Sequence, residues 1–352
     1  FAIGKRQVGG EAPCFIIAEA GVNHNGDPRL AARLVKAAKE AGADAVKFQT
    51  FRTGSLVSRS APKAAYQKAR TRGPDSQASM LRALELDRAA HERLKDLCDR
   101  TGILFLSTPF DEESADLLEE IGVPLFKLGS GEVTNRPLLE HVAAKGKPLI
   151  LSTGMSTLAE VAAAVRWVRA VSRAPLMLLH CVTEYPAPAG QANLRAMLTM
   201  ARALRLPVGW SDHTEGSAVS VAAAALGAPI IEKHLTLDRR LPGPDHAASL
   251  EPSAFAAFAA EVRTAVAALG DGVKRPAPCE RPNRTVARRS LTSTTALPKG
   301  RVLKASDLAV KRPGTGIPPA MLRTVVGRTL ARAVAEDETL TWDALVGRKA
   351  KA

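Results

Sequence analysis

The chain has 352 residues, of which 46% are hydrophobic and 4% aromatic, so a large domain followed by a smaller one is the natural expectation. Its four cysteines form no CxxC pair, which argues against a disulfide framework or a zinc knuckle and favours the reducing cytoplasm. The sequence contains no run of about 18 apolar residues and no evident signal peptide, so we expect no membrane span.

The net charge of +14 is concentrated in the last part of the chain. From Gly272 onward there are 17 basic and 6 acidic residues, whereas the rest of the chain is close to neutral. Because this part has no recognition motif and almost no aromatic residues, its charge does not indicate nucleic-acid binding. Attraction of anionic substrates, or a basic surface without a specific role, explains the charge better.

Eight short apolar runs predict strands, and each is followed by a stretch with helical periodicity. Alternating strands and helices indicate parallel strands joined by crossover helices. Eight such units in roughly 270 residues predict an α/β fold of the (β/α)₈ TIM-barrel type rather than an open doubly wound sheet. The predicted strands lie near residues 14–18, 44–49, 103–107, 124–128, 148–152, 176–181, 207–211 and 229–234.

The helical stretches carry their own start and stop signals. The first is expected to end at Gly42, and Thr157 followed by Glu160 predicts a capping box at the start of a later helix. The predicted apolar face of the first helix comprises Leu30, Leu34, Ala37, Ala38 and Ala41.

Two segments fall outside the strand–helix pattern. A polar, basic insert at about 50–85 is interpreted as a substrate lid, because long loops on an active face commonly carry function. After Gly270 the sequence becomes rich in Pro and charge, and then shows short β-like runs. We therefore expect a barrel over residues 1–272, a linker over 273–284 and a small β-rich domain over 285–352, which is marginal alone and should dock onto a barrel.

Polar or charged residues stand where the predicted strands end. The carboxyl ends of barrel strands open on one face, so side chains that are remote in sequence would meet there in a single pocket. These residues are Glu19, Lys47, Gln49, Thr108, Lys127, Ser152, His180, Ser211, His213 and His234.

Two histidines in this set predict a metal site. His213 and His234 end the seventh and eighth strands, which are neighbours in a barrel. Two imidazoles with open positions suit Mn²⁺, Zn²⁺ or Fe²⁺, and Glu232 and Asp245 are close enough in sequence to orient the rings. The alternative is that both are structural histidines bonded to the backbone.

Two lysines predict an anionic substrate. Lys47 and Lys127 each end a strand at the same mouth, which suits a phosphorylated or carboxylated substrate. A Schiff-base lysine and a pair of solvated lysines are the alternatives. Glu19 and Glu132 could act as general bases or pair with the lysines. Hydroxyl donors at the same level are Thr108, Ser130, Ser152 and Ser211.

Motifs along nearly the whole chain resemble those of the sialic acid synthase family, bacterial enzymes that make N-acetylneuraminate and its relatives. In order they are IAEAGVNHNGD, AVKFQTF, KLGSGEVTN, STGM, CVTEYP, GWSDHTEG, EKHLTLDR and PGPDHAASLEP. The later segments ARRSL, LPKG, KRPGTGIPP and VGR resemble the antifreeze-like (SAF) domain that follows the barrel in this family.

The resemblance implies that the chain condenses phosphoenolpyruvate with an N-acetylated hexosamine and water to give a nine-carbon nonulosonic acid and phosphate. It implies a divalent metal, commonly manganese, on His213 and His234. It also implies a domain-swapped homodimer in which Arg312 of one subunit reaches the sugar bound by the other. On matching positions, phosphoenolpyruvate would be held by Lys47, Thr108, Lys127, Ser130, Ser152 and Ser211, the sugar by Gln49, Tyr185 and Asp245, and protons or water would be handled by Glu19 and Glu132.

The acceptor sugar stays open at this point. Val286 stands where family members often carry an aromatic residue near the sugar, which indicates a substrate of different shape. N-acetylmannosamine and a 2,4-diacetamido-2,4,6-trideoxyhexose are both compatible with the motifs. The alternatives are a pseudaminate synthase, another phosphoenolpyruvate-dependent 3-deoxy sugar acid synthase, and a Schiff-base lyase that runs the reaction backward.

Overall fold

A computed structural model of the chain describes residues 2–4, 6–10, 12–64, 67–68, 71 and 76–347. The contacts divide the chain into two compact units, Phe1–Gly270 and Asp271–Ala352. Part of the predicted lid, residues 65–66, 69–70 and 72–75, lies outside the described residues. None of the helices in the described ranges combines the length and the apolar character needed to cross a bilayer.

The first unit contains an eight-stranded parallel sheet, which confirms the predicted barrel. A short antiparallel hairpin, β1 (Ala2–Ile3) and β2 (Arg6–Gln7), precedes it. In sheet order β5-β4-β3-β10-β9-β8-β7-β6, each strand pairs with the next, and β5 and β6 lie side by side where the sheet closes. The barrel strands are β3 (Phe15–Gly21), β4 (Ala45–Thr50), β5 (Leu104–Pro109), β6 (Phe126–Leu128), β7 (Leu149–Ser152), β8 (Leu176–Cys181), β9 (Val208–Asp212) and β10 (Ile230–His234).

Helices connect the strands and cover the outside of the sheet. The described helices of this unit are α1 (Pro28–Glu40), α2 (Thr53–Leu56), α3 (Gln77–Arg82), α4 (Arg88–Thr101), α5 (Glu112–Ile121), α6 (Arg136–Ala144), α7 (Leu158–Val171), α8 (Arg195–Leu204), α9 (Ala218–Ala225) and α10 (Pro252–Leu269). The capping box of Thr157 and Glu160 is confirmed, and Gly42 follows α1 with φ +84°. The predicted face of α1 is wrong at Leu30, which is half-buried, whereas Ala31 and Val35 are fully buried.

The inside of the barrel has an apolar half and a polar half. Successive side chains of a strand point to opposite faces, so inward positions recur every second residue. On β3, buried Ile17 is followed at the next inward position by Glu19, and on β10 Ile230 is followed by Glu232. The inward apolar residues form one cluster in the lower half: Ile3, Val8, Phe15, Ile17, Ala45, Leu106, Leu125, Ile150, Met177, Leu179 and Ile230. The polar half therefore lies at the carboxyl ends of the strands, above the buried apolar half.

The second unit is a small β-rich domain with its own core. Strands β11 (Ser290–Ser293) and β12 (Leu308–Lys311) pair antiparallel, and isolated bridges such as Leu297 to Val334 extend the pairing. Helix α11 (Arg281–Ala287) precedes the domain and α12 (Leu322–Val325) lies within it. Its core consists of Leu291, Leu297, Leu303, Ile317, Val325, Leu330, Val334, Leu340, Ala344 and Leu345.

Candidate active site

A cavity of about 310 Å³ lies at the carboxyl ends of the barrel strands. All eight barrel strands, or the residues directly after them, contribute to its lining. Two residues predicted for the cavity lie elsewhere: His180 points to the other side of its strand from Cys181 and does not line the cavity, and Arg312 is exposed in the second unit. The predicted residues that line the cavity are Glu19, Lys47, Gln49, Thr108, Lys127, Ser130, Glu132, Ser152, Tyr185, Ser211, His213, His234 and Asp245.

Lys47 is the buried cation at the centre of the cavity floor. Its Nζ lies 2.6 Å from Oε2 of Glu19 and donates a hydrogen bond to Oγ1 of Thr108 at 3.0 Å. The strand register explains these contacts, because Lys47 pairs directly with Glu19 on the neighbouring strand. Burial would lower the pKa of Lys47, but Glu19 and Glu232 outweigh burial and raise it. Lys47 therefore stays protonated even though it is only 3% exposed.

Glu232 lies between the two lysines, a position that was not predicted from the sequence. Its Oε2 is 3.8 Å from Nζ of Lys47, and its Oε1 is 3.6 Å from Nζ of Lys127. Ser211 Oγ donates a hydrogen bond to Oε1 at 3.0 Å. Spacing could have revealed this position, because Glu232 and His234 are two residues apart on one strand and so face the same side.

The two carboxylates of the cavity floor differ in their ionisation. Burial would raise the pKa of Glu232, but the charges of Lys127 and Lys47 outweigh it and hold that pKa at about 2. Burial raises the pKa of Glu19 to about 7 in spite of Lys47. Burial also lowers the pKa of Lys127, which Glu232 only partly offsets. At neutral pH the floor thus contains one fixed carboxylate and one that is partly protonated.

The two predicted metal ligands are close together. The ring centroids of His213 and His234 are 5.5 Å apart. Nδ1 of His213 donates a hydrogen bond to the carbonyl oxygen of Val182 at 2.6 Å, which leaves Nε2 with its lone pair. Nδ1 of His234 is buried and has no hydrogen-bond partner in the described part of the chain.

These imidazoles fit a divalent cation. Burial lowers the pKa of His213 to about 4 and that of His234 well below 6.5, so both rings are neutral, which is the form that binds metals. Within the described residues, no group of three or more His, Cys, Asp and Glu side chains has a metal-binding arrangement. Structural zinc sites are closed by four protein ligands, so a pair of imidazoles with positions left for water or substrate suits a catalytic rather than a structural site.

Tyr185 holds the two imidazoles from one side. Its ring centroid is 4.1 Å from that of His213, at a tilt of 35°, and 5.6 Å from that of His234, in an edge-on arrangement. Since aromatic contacts of this kind restrict rotation, the tyrosine helps to fix both rings at the cavity edge.

Hydroxyl groups form another side of the cavity. Oγ of Ser152 and Oγ1 of Thr183 are buried and make no hydrogen bond among the described residues. Oγ of Ser130 accepts a hydrogen bond from the backbone of Gly154 at 2.9 Å. A Cβ at Gly154 would lie 2.3 Å from Oγ1 of Thr183, so only glycine fits here. Thr183 was not predicted for the site, although it follows Cys181 at the next inward position after β8.

Three further polar residues border the cavity near β3 and β6. Gln49 Nε2 donates a hydrogen bond to Oε1 of Glu19 at 3.3 Å. Burial raises the pKa of Asp245 to about 6. Oε2 of Glu132 accepts a hydrogen bond from Asn135 at 2.7 Å, while burial raises its pKa. Two carboxyl groups of the site, Glu19 and Asp245, therefore change their ionisation near neutral pH.

One side of the cavity is apolar. Val22, Phe51, Met80 and Leu84 form a small cluster separate from the main core, and we call these four residues the apolar wall. They come from the segments after β3 and β4 and from the insert that was interpreted as a lid. The described part of that insert therefore borders the cavity, as a lid would.

Two protein families together match most of the chain. Residues 34–274 match the NeuB family, and residues 288–346 match the SAF domain. The chain is 47% identical over 339 residues to the N,N'-diacetyllegionaminic acid synthase of Legionella pneumophila, with 95% of each chain covered. It is 45% identical over 328 residues to the Campylobacter jejuni protein of the same name, covering 93% of this chain and 98% of that one.

A solved structure agrees with these relatives. The N-acetylneuraminic acid (sialic acid) synthetase of Leptospira borgpetersenii is 35% identical and superimposes with a TM-score of 0.72, covering 80% of this chain and 94% of that one. Together with the cavity, these similarities confirm the family that the motifs indicated. The chain belongs to the NeuB family of synthases and carries the SAF domain after its barrel.

Proposed function

We propose that this enzyme condenses phosphoenolpyruvate with a 2,4-diacetamido-2,4,6-trideoxyhexose and water to give a diacetylated nonulosonic acid and phosphate. Two relatives at 47% and 45% identity are named for a product with two acetyl groups. Phosphoenolpyruvate supplies three carbons and no nitrogen, so both acetamido groups of such a product come from the acceptor. The observation that carries the reaction itself is the convergence of Lys47, Lys127 and two neutral imidazoles on one cavity.

Phosphoenolpyruvate binds at the lysines. Its phosphate and carboxylate carry up to three negative charges, which two buried ammonium groups offset more strongly than solvated ones would. The unpartnered hydroxyls of Ser152 and Thr183 supply further donors to the same anion. Against the effect of burial, the charge of Glu232 acts to raise the pKa of both lysines and so favours their charged forms before the substrate arrives.

A divalent cation, which we propose to be Mn²⁺, would be held by His213 and His234. When bound, it polarises the aldehyde of the open-chain sugar and so favours attack by C3 of phosphoenolpyruvate. The two imidazoles remain neutral at working pH, and Tyr185 keeps their planes fixed.

Glu19 is our candidate for handling the proton of the water that adds to C2. It contacts Lys47 directly, and its pKa of about 7 makes both protonation states available at neutral pH. Glu132, which follows Lys127 in the sequence, lines the same cavity and is the second candidate. Their roles can be separated by the pH dependence of the reaction.

Replacing Glu19 with Gln should remove a pH-dependent step. In the unmodified enzyme we expect kcat/KM to rise as the pH passes through about 7, because the carboxyl loses its proton there. Because the pKa of Glu19 is higher in the folded chain than in the unfolded chain, this group contributes to the free energy of unfolding. The contribution is fully present below about pH 4.5 and is lost as the pH rises through about 7. Steady-state rates between pH 5.5 and 9 check this expectation, with Glu132→Gln as the comparison. If the pH profile of E19Q is the same as that of the unmodified enzyme, Glu132 rather than Glu19 handles the proton.

The apolar wall supports the trideoxy acceptor. A 2,4-diacetamido-2,4,6-trideoxyhexose carries three methyl groups, whereas N-acetylmannosamine carries one. Each extra methyl group buried against Phe51, Met80 or Leu84 contributes about 0.8 kcal/mol, so two of them favour the trideoxy sugar by about 15-fold in kcat/KM. Phosphate release from phosphoenolpyruvate and Mn²⁺ with each sugar measures this ratio directly.

A methionine pair tests whether the wall causes that preference. Met80→Gln should lower the ratio several-fold, because it replaces apolar surface of the wall with a polar amide. Met155→Gln is the matched control, since Met155 lines the same cavity but is 71% exposed and lies outside the wall. A faster reaction with N-acetylmannosamine in the unmodified enzyme would contradict the proposed acceptor.

We also propose that the active enzyme is a homodimer in which the second unit of one subunit completes the site of the other. Arg312 supports this arrangement, because it is exposed and its guanidinium forms no hydrogen bond or ion pair within the described part of its own chain. Val286 is likewise 66% exposed. A planar guanidinium suits an acetamido carbonyl or a carboxylate.

Subunit mixing tests this arrangement. Arg312→Ala should raise KM for the sugar by about 10- to 100-fold while KM for phosphoenolpyruvate stays unchanged. When R312A is refolded together with His213→Ala, mixed dimers contain one site with both wild-type halves, so about a quarter of the normal activity should return. Activity no higher than the sum of the two separate variants would show that Arg312 acts within its own chain.

The unpaired cysteines support a reducing cellular compartment for the enzyme. All four are unpaired, and Cys14, Cys98 and Cys181 are buried. We propose that the enzyme works in the reducing cytoplasm, where such thiols persist and where phosphoenolpyruvate is made.

A further inference from the structure

Two buried charged residues next to the proposed metal ligands have no part in the chemistry described so far. Asp212 and Lys233 are each 1% exposed and pair in register between β9 and β10. Nζ of Lys233 lies 2.9 Å from Oδ2 of Asp212. Because neighbouring residues of a strand point to opposite faces, this pair lies behind the barrel wall, while Ser211 and Glu232 face the cavity.

Both oxygens of the Asp212 carboxylate accept hydrogen bonds from nearby donors. Oδ1 accepts from the backbone N–H of Thr214 at 2.8 Å and from its hydroxyl at 2.7 Å. Oδ2 accepts from Ser220 Oγ at 2.6 Å as well as from Lys233. Ser220 belongs to helix α9, so one carboxylate ties together a helix, the residue after His213 and the adjacent strand.

Lys233 closes the same network from the other strand. Its Nζ also donates to the carbonyl oxygen of Thr214 at 2.5 Å. Thr214 is thus fixed through its N–H, its hydroxyl and its carbonyl group. Thr214 directly follows His213, and Lys233 directly precedes His234, so the chain neighbours of both imidazoles are bonded to each other.

We propose that Asp212 and Lys233 are positioning residues that set the separation of the His213 and His234 rings and thereby the affinity of the site for a divalent cation. Burying two charges costs free energy that an apolar pair of similar size would avoid, so fold stability alone does not account for them. This inference rests on the proposed metal role of the two histidines. The two residues would act on the metal site from behind the barrel wall, since neither of them lines the cavity.

The test removes both charges together. The double variant Asp212→Asn/Lys233→Met keeps similar side-chain volumes and leaves no unpaired buried charge, so it should remain folded. Mn²⁺ alone is titrated into the full-length protein, and free Mn²⁺ is counted by electron paramagnetic resonance. We expect the dissociation constant to rise by about 10- to 100-fold, as is typical when the partners of metal ligands are lost.

Asp44→Asn is the matched control. Asp44 is also a buried barrel carboxylate in an ion-pair network, with Arg6 and Arg263, and it accepts a hydrogen bond from Ile16 at 2.9 Å. It precedes β4 and so lies at the opposite end of the barrel from the cavity. This variant should lower the melting temperature yet change Mn²⁺ affinity less than about twofold, because it leaves the histidines in place.

The outcomes separate the inference from the proposed function. A double variant that is folded by circular dichroism and binds Mn²⁺ as tightly as the unmodified chain would overturn the positioning role. Equal losses of affinity in the double variant and in D44N would also overturn it, because the effect would then be general destabilisation. If the unmodified chain itself takes up no Mn²⁺, the proposed metal site fails first.

Discussion

Replacement of His213 by Ala should abolish metal uptake and lower kcat by at least about 10³-fold. The expected size reflects the several kcal/mol by which a Lewis acid stabilises charge at a carbonyl, at about 1.4 kcal/mol for each factor of ten. His234→Ala should behave in the same way, since its ring centroid is 5.5 Å away in the same cavity. Inductively coupled plasma analysis of bound metal, together with phosphate release, measures both effects.

His180→Ala is the control for this loss. His180 also stands near the end of a barrel strand, but its Nε2 bonds the carbonyl oxygen of Ala192 at 3.0 Å and its ring packs on Trp210. It should bind metal normally and retain most of its activity. Full activity of H213A, or of the unmodified enzyme after chelation of all metal, would refute the metal role of the imidazoles.

Lys127→Met should raise KM for phosphoenolpyruvate by about 10²-fold or more, with a smaller effect on KM for the sugar. A hydrogen bond between charged groups contributes about 1.5–3 kcal/mol, and the loss also leaves Glu232 with Lys47 as its only cationic partner at the cavity floor in the described structure. The variant should fold, because Glu232 keeps Lys47 as a cationic partner at 3.8 Å. Steady-state kinetics with each substrate varied in turn separates the two constants.

Lys145→Met provides the comparison for Lys127. Lys145 also lies between two carboxylates, with Nζ 2.5 Å from Asp116 and 2.8 Å from Glu119, but it is remote from the cavity lining. It should affect stability by a small amount and leave both KM values unchanged. Equal effects of the two substitutions on phosphoenolpyruvate binding would argue against a specific role for Lys127.

The barrel was predictable because its signals are local. Each apolar run followed by a helical period marks one unit, and Gly102 and Gly122 end two of the helices in the left-handed conformation that favours glycine. Most of the cavity lining was predictable for a related reason. Parallel strands that close into a barrel bring their carboxyl ends together, so Lys47 and His234 must meet although 187 positions separate them.

The features that could not be predicted from the sequence depend on the direction in which a side chain points rather than on its place along a strand. His180 and Cys181 both end β8, but only Cys181 lines the cavity, because one step along a strand reverses the side of the sheet. Glu232 was assigned to the metal ligands by proximity in sequence. Its contacts with Lys47 and Lys127 depend on how far long side chains reach across the barrel, which spacing along the chain does not define.

A local feature of the Pro-rich stretch after the barrel could not be predicted. The linker over 273–284 stays a prediction, but helix α11 begins within it at Arg281, and Glu280 accepts a hydrogen bond from the backbone of Ala277 at 2.8 Å. Proline is tolerated in the first turn of a helix, where no N–H donor is needed, so Pro282 does not prevent this helix. Composition alone does not distinguish a first-turn proline from a helix breaker.

One cation and one enol phosphate should share the polar half of the barrel. Crystals grown with Mn²⁺ and phosphoenolpyruvate can be measured at the manganese absorption edge to locate both. We expect one anomalous peak within bonding distance of His213 and His234, with the phosphate against Lys47 and Lys127. A peak at another place in the molecule, or a phosphate bound away from both lysines, would contradict this expectation.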